Sequence, residues 1–162
     1  MLSDENIKKE AIDFVKKKEN VKKLIQEFAN PINILPDTTP ISVFMAGSPG
    51  AGKTEFSKEL INVLWDNNKN IVARIDADEI RNKMPGYIGG NAYLFQGAVS
   101  IAVEKIHDSV LKNRQNFILD GTLSNFEKAK DNIERSLNKS RTVFIFYIYQ
   151  DPIIAWEFTV RR

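Results

Sequence analysis

The sequence predicts an α/β fold in which a mostly parallel sheet carries helices on both faces. Three observations predict it. Four short, near-continuous apolar runs alternate with stretches of helical periodicity, the pattern of strands buried on both sides. The first run, Ile41-Ser42-Val43-Phe44-Met45-Ala46, passes directly into a glycine-rich loop and then a helical pattern. The second and third runs end in aspartates, and in an open parallel sheet those strand ends face the ligand crevice.

In chain order, Ile7, Ala11, Phe14, Val21, Ile25 and Phe28 recur at spacings of four and three, with Lys18 as the interruption. That stripe predicts one amphipathic helix over residues 1–30, capped by Ser3 and bounded by Pro31. Its lysines Lys16, Lys17, Lys18, Lys22 and Lys23 read first as a solvated face, with contact to phosphate or a partner as the alternative. Pro31, Pro36 and Pro40 mark residues 31–40 as a connector. Residues 41–162 then form the core. After the loop, Phe56, Leu60, Val63 and Leu64 have helical spacing. Asn67, Asn68 and Lys69 turn the chain into a second strand, Ile71-Val72-Ala73-Arg74-Ile75.

Pro85, Gly86, Gly89 and Gly90 make residues 84–90 a loop, and Asn91 is expected to cap a long helix. The buried face of that helix carries Leu94, Phe95, Ala98, Ala102, Ile106 and Val110, with His107 read as a surface or boundary residue. Phe117-Ile118-Leu119 is a third strand, Asn125 to Leu137 a polar helix, and Val143 to Tyr149 a fourth strand. A last helix begins near Pro152, and the chain stops inside it at Arg161-Arg162, which reads as a truncated or unusually short core.

The 162 residues suit one domain with a substantial core. A net charge of +2 gives no strong pull toward nucleic acid or membrane, and no apolar run approaches the ~20 residues that cross a bilayer. There is no cysteine and a single histidine, which removes disulfides, thiolate metal sites and most histidine-based chemistry. The N-terminus lacks the layout of a secretion signal, so a cytoplasmic protein is the default reading.

The loop Gly47-Ser48-Pro49-Gly50-Ala51-Gly52-Lys53-Thr54 meets the spacing G-x-x-x-x-G-K-[ST]. Glycines let backbone N–H groups turn inward around phosphate oxygens, and the following helix offers its N-terminus to the same anion. Lys53 is expected on the β- and γ-phosphates and Thr54 on Mg²⁺. Together with the flanking strand and helix, this defines a P-loop NTPase fold that binds ATP or GTP. No base-reading motif stands out: Asn138-Lys139-Ser140-Arg141 has an arginine where a guanine-reading segment needs aspartate.

Ile75-Asp76-Ala77-Asp78-Glu79 sets two carboxylates at the crevice end of the second strand. A carboxylate there can take the proton of a hydroxyl attacking the γ-phosphate. If the strand continues, Asp76 and Asp78 share a side, so that one works and the other positions it; the plainer reading is Asp78 as a helix cap. Asp120, closing the third strand, can hold Mg²⁺ directly or through water. Thr122 can donate to substrate or cap the next helix. Arg161 and Arg162 stand where a lid helix returns over the phosphates, and either they or Arg81 could neutralise transferred charge or simply be exposed helix charge.

With these motifs in order, residues 41–162 resemble the zeta toxin family of P-loop kinases. The resemblance rests on Ala46 to Thr54, on Ile75-Asp76-Ala77-Asp78-Glu79-Ile80-Arg81 and on Leu119-Asp120-Gly121-Thr122. It implies an ATP- or GTP-dependent kinase acting on a sugar hydroxyl of UDP-N-acetylglucosamine, and a small helical antitoxin that blocks the nucleotide site. It further implies that Lys53 and Thr54 bind phosphate and metal, that Asp78 is the catalytic base, and that Arg161 or Arg162 neutralises phosphate. Two departures stand out: Leu123 and Ser124 follow where the family often carries a basic residue, and the chain ends before a second lid arginine. The residues alone leave open a kinase for a polynucleotide 5′-hydroxyl or an antibiotic hydroxyl, or a non-catalytic nucleotide-binding module.

Overall fold

A computed structural model describes residues 3–65 and 71–160. The expected turn at Asn67, Asn68 and Lys69, and the two arginines Arg161 and Arg162, lie outside the described residues.

In place of one N-terminal helix there are two, α1 (Asp4–Lys16) and α2 (Lys18–Phe28), hinged at Lys17, whose backbone is extended (φ −72°, ψ 119°). Ser3 caps α1 by accepting from the Asn6 N–H. The apolar stripe continues across the break because both helices turn it to the same core: Ala11, Val15, Leu24 and Phe28 are buried there. The strand β1 (Ile41–Ala46) runs into the glycine loop, and α3 (Lys53–Trp65) begins at the lysine of that loop. Next come β2 (Val72–Asp76) and a short helix α4 (Ala77–Arg81). A 3-10 turn, Ala92–Leu94, precedes α5 (Gln96–Lys112). Asn91 does not cap α5; its side chain instead closes the preceding loop, accepting from Ile88 N–H and donating to the Gly86 carbonyl. The chain then forms β3 (Asn116–Asp120), α6 (Phe126–Leu137) capped by Asn125, β4 (Thr142–Tyr147) and α7 (Pro152–Val160).

The sheet is wholly parallel in the order β2-β3-β1-β4, as sequential βα units require. Period-two alternation sorts its side chains. Phe44, Ala73, Ile75, Phe117 and Leu119 pack against α1, α2, α4 and α5, while Val43, Met45, Val72 and Ile118 pack with Leu60 and Ile61 of α3. The edge strand β4 departs from the expected cover: Phe144, Ile145 and Tyr147 remain exposed, as do Ile153, Trp156 and Phe158 of α7.

His107 also departs from expectation. It is buried among the edges of Phe44 and Phe117, with ring centroids 6.3 and 5.0 Å away, because the inner arc of α5 is wider than its apolar stripe. Arg141 lies at the entry of β4, the end of the sheet away from the loop. There it donates to Ser42 Oγ and to the Ile41 and Gln115 carbonyls, so the Asn138–Arg141 segment is far from any base held at the loop.

Candidate functional site

The loop between β1 and α3 owes its shape to glycines in left-handed backbone: Gly47 (φ 135°), Gly50 (φ 76°) and Gly52 (φ 88°). Two are also pinned by close neighbours. A Cβ on Gly47 would stand 2.3 Å from the Ile148 carbonyl oxygen, and one on Gly50 would stand 2.0 Å from that of Ala155 in α7. Ser48 and Pro49 are exposed and Ala51 is buried. Lys53 folds its Nζ onto the Ser48 carbonyl at 2.6 Å, within the cradle that a phosphate would take. Thr54 stands half-buried in the first turn of α3. A cavity of about 260 Å³ opens between the loop and α7, lined by Gly50, Gly52, Glu55, Gln150 and Phe158.

The two aspartates after β2 divide their work. The strand ends at Asp76, so Asp78 lies in α4 and the two do not share a strand face. Asp76, rather than Asp78, is the helix cap: its Oδ1 accepts from Asp78 N–H at 2.7 Å and Glu79 N–H at 3.3 Å. Its Oδ2 takes Arg74 at 2.5 Å, leaving Asp76 fully engaged. Burial pushes the Asp76 carboxyl above its ordinary pKa, against the pull of Arg74. Asp78, by contrast, has a side chain 77% exposed, steadied by Arg81 Nη1 at 2.5 Å. Arg81 lies against the Tyr87 ring and is mostly buried, so it braces Asp78 rather than reaching freely into solvent.

Asp120 closes β3 directly beside Asp76 in the sheet register. Its Oδ2 accepts from Arg74 Nη2 at 2.6 Å and from Ser57 Oγ at 2.8 Å. Arg74 and Ser57 were not singled out by sequence. The signal was present in period two, which puts Arg74 on the α3 side of β2 with Val72 and Asp76. Burial works against the charge of Arg74, but the carboxylates outweigh it and hold its pKa above the ordinary value.

Past Asp120, Gly121 and Thr122 line a cavity of about 180 Å³ with Ala77, Lys128 and Asn132. The Thr122 carbonyl accepts from Gly47 N–H at 3.4 Å, and its hydroxyl meets Ser124 Oγ at 2.9 Å, so it does not cap α6. Leu123 between them is left-handed (φ 50°), a conformation that non-glycine residues resist. Lys128, in the first turn of α6 and bonded to Ser100, also lines this cavity. A larger cavity, about 570 Å³ between α2, α3 and β2, contains none of the loop residues.

The sequence profile of the family described as Zeta toxin matches residues 25–162. The chain belongs to the zeta toxin family. A chain in the structure of the PezAT chromosomal toxin-antitoxin system of Streptococcus pneumoniae is similar to this zeta toxin family chain with a TM-score of 0.75 at 19% identity, over 88% of this chain and 60% of that one. A chain of the Pnkp1/Rnl/Hen1 complex is similar with a TM-score of 0.52 at 19% identity, over 76% of this chain and 39% of that one. Both likenesses concern the fold, a P-loop NTPase-like α/β sheet. Among curated relatives, the chaperone ClpB of Mycoplasma genitalium is 34% identical over 137 residues and that of Mycoplasma pneumoniae 32%. In each case the similarity covers 70% of this chain but spans only 18% of the relative's length. Among the described residues, no helix is long and apolar enough to cross a membrane.

Hard oxygen donors suit Mg²⁺, which takes one or two protein oxygens and completes its shell with phosphate and water. The Thr54 hydroxyl and Asp120 supply that chemistry, and the bonds to Asp120 fall on Oδ2 alone.

Proposed function

We propose that this chain is a kinase that transfers the γ-phosphate of ATP or GTP to a sugar hydroxyl, with UDP-N-acetylglucosamine as the acceptor, as the toxin of a toxin–antitoxin pair. The observation that carries the reading is the division between Asp76 and Asp78. One carboxylate is consumed in capping α4 and holding Arg74, while the other stands exposed and braced by Arg81 in the first turn of α4.

In this reading the nucleotide phosphates draw Lys53 away from the Ser48 carbonyl, and the loop N–H groups and the N-terminus of α3 hold them. Thr54, with Asp120 behind it, would hold Mg²⁺, which when bound would neutralise phosphate charge. The acceptor occupies the cavity of Thr122, Lys128 and Asn132. Its hydroxyl oxygen attacks the γ-phosphorus, the bond to the β-phosphate oxygen breaks, the diphosphate leaves, and the hydroxyl proton passes to the Asp78 carboxylate. Asp76 and Arg81 act as positioning groups on the acceptor side, and Arg161 or Arg162 is assigned to the charge on the transferred group. A small helical antitoxin would act by covering the loop.

Incubation with ATP, Mg²⁺ and UDP-N-acetylglucosamine is expected to yield a sugar nucleotide carrying one additional phosphate, read by mass spectrometry. Transfer to a polynucleotide 5′-hydroxyl instead, or ATP binding with no transfer, would overturn the acceptor assignment.

A further inference from the structure

Between the phosphate loop and the acceptor side runs one continuous set of charged hydrogen bonds, and Arg74 is its hub. Arg74 Nε donates to Ser57 Oγ at 3.0 Å, Nη1 to Glu79 Oε1 at 2.6 Å, and Nη2 to Asp76 Oδ2 at 2.5 Å and Asp120 Oδ2 at 2.6 Å. Ser57, fully buried, also reaches the Thr54 carbonyl at 3.0 Å, one residue past the lysine of the loop. Asp76 in turn fixes the N–H groups of Asp78 and Glu79. Four elements (α3, β2, β3 and α4) therefore meet on one guanidinium whose side chain is 11% exposed. Only an arginine can do this, because its planar fork offers separate donors in fixed directions, whereas lysine presents a single point charge.

The first turn of α3 is where phosphate and metal are to be held, and the first turn of α4 carries Asp78. We propose that Arg74 is a positioning residue that couples them: nucleotide bound at the loop orders α3, and Arg74 passes that order through Asp76 to the backbone of Asp78. The exposed Asp78 carboxylate then reaches its working position when the nucleotide is present. Contiguous hydrogen-bonded networks of this kind carry energetic coupling between sites. The inference rests on the nucleotide site proposed above and adds to it a residue that touches neither phosphate nor acceptor.

Backbone hydrogen exchange, followed with and without ADP·Mg²⁺, tests it in the full chain. In the wild type, ADP·Mg²⁺ should slow exchange at residues 47–57 and also at Asp78 and Glu79, the latter by about 5-fold or more. In Arg74→Lys, which keeps the charge but not the fork, the loop should still respond while the response at 78 and 79 falls below about 2-fold. Asp76→Asn keeps a capping side chain and loses the ion pair; it should behave as Arg74→Lys does. Both variants are first matched to wild type by circular dichroism, so that a folding defect is seen as such. Slowing at 78 and 79 that survives both substitutions, or a wild-type response confined to the loop, overturns the coupling while leaving the nucleotide site intact. No response anywhere to ADP·Mg²⁺ in the wild type overturns the nucleotide reading itself, and the coupling with it.

Discussion

At the scale of single residues, burial separates groups that look alike in the sequence. Asp76 and Asp78 are two residues apart, yet one is sealed beneath Arg74 and the other is open to solvent. His107 makes the same point. Its ring is buried with neither nitrogen hydrogen-bonded among the described residues, and desolvation, reinforced by Arg135 and Arg141 against Asp108 and Asn132, brings its pKa down to about 4. The folded protein thus holds it neutral at pH values where the unfolded chain, near 6.5, already binds a proton. Its contribution is complete above pH 6.5 and is lost as pH falls toward 4, an effect on the order of 3 kcal/mol. Denaturant titrations from pH 7 to pH 4 should show that decline, and His107→Leu should flatten it. Equal slopes in the two proteins would remove His107 as the cause. Periodicity could not expose this residue, because the apolar stripe of α5 marks the centre of its buried face and not the width. For Arg74 periodicity gives the face of β2 it occupies but not its partners, which appear only once the strands are placed side by side.

At the scale of elements, the glycine loop between β1 and α3 was legible from its spacing, and Gly47, Gly50 and Gly52 take the left-handed backbone that glycine permits. What spacing did not convey is the packing behind it. The N–H of Gly47 is tied to the Thr122 loop, and Gly50 lies under α7. Gly50→Ala combines a left-handed φ of 76° with a Cβ 2.0 Å from a backbone carbonyl, so either α7 or the loop must shift. We expect a cost on the order of 1–3 kcal/mol, read as a lower thermal midpoint. An unchanged midpoint would mean that α7 does not rest on the loop. The N-terminal helix was read as one because both halves bury the same stripe, and the hinge at Lys17 has neither proline nor glycine to announce it. Likewise, an apolar run marks β4 as a strand without saying what covers it. The helix α3 lies on β1 and β3 and α6 along β4, yet β4 keeps Phe144, Ile145 and Tyr147 exposed.

At the scale of the molecule, a wholly parallel sheet gathers the candidate site residues at one edge, where its strands end. The loop after β1, Asp76 after β2 and Asp120-Gly121-Thr122 after β3 are neighbours because β1, β3 and β2 are neighbours. Strand order was not readable from the apolar runs, which is why the two aspartates could be named but not their shared guanidinium. The helix that follows β3 also borders the cavity beside Thr122, where it contributes Lys128 and Asn132. The central claim is that this edge performs phosphoryl transfer with Asp78 as the base. Asp78→Ala tests it most directly, with turnover and nucleotide affinity measured on the same preparation. The account predicts turnover lower by ~10²–10⁴ with nucleotide affinity within about 3-fold of wild type. Turnover equal to wild type in the folded variant would contradict it.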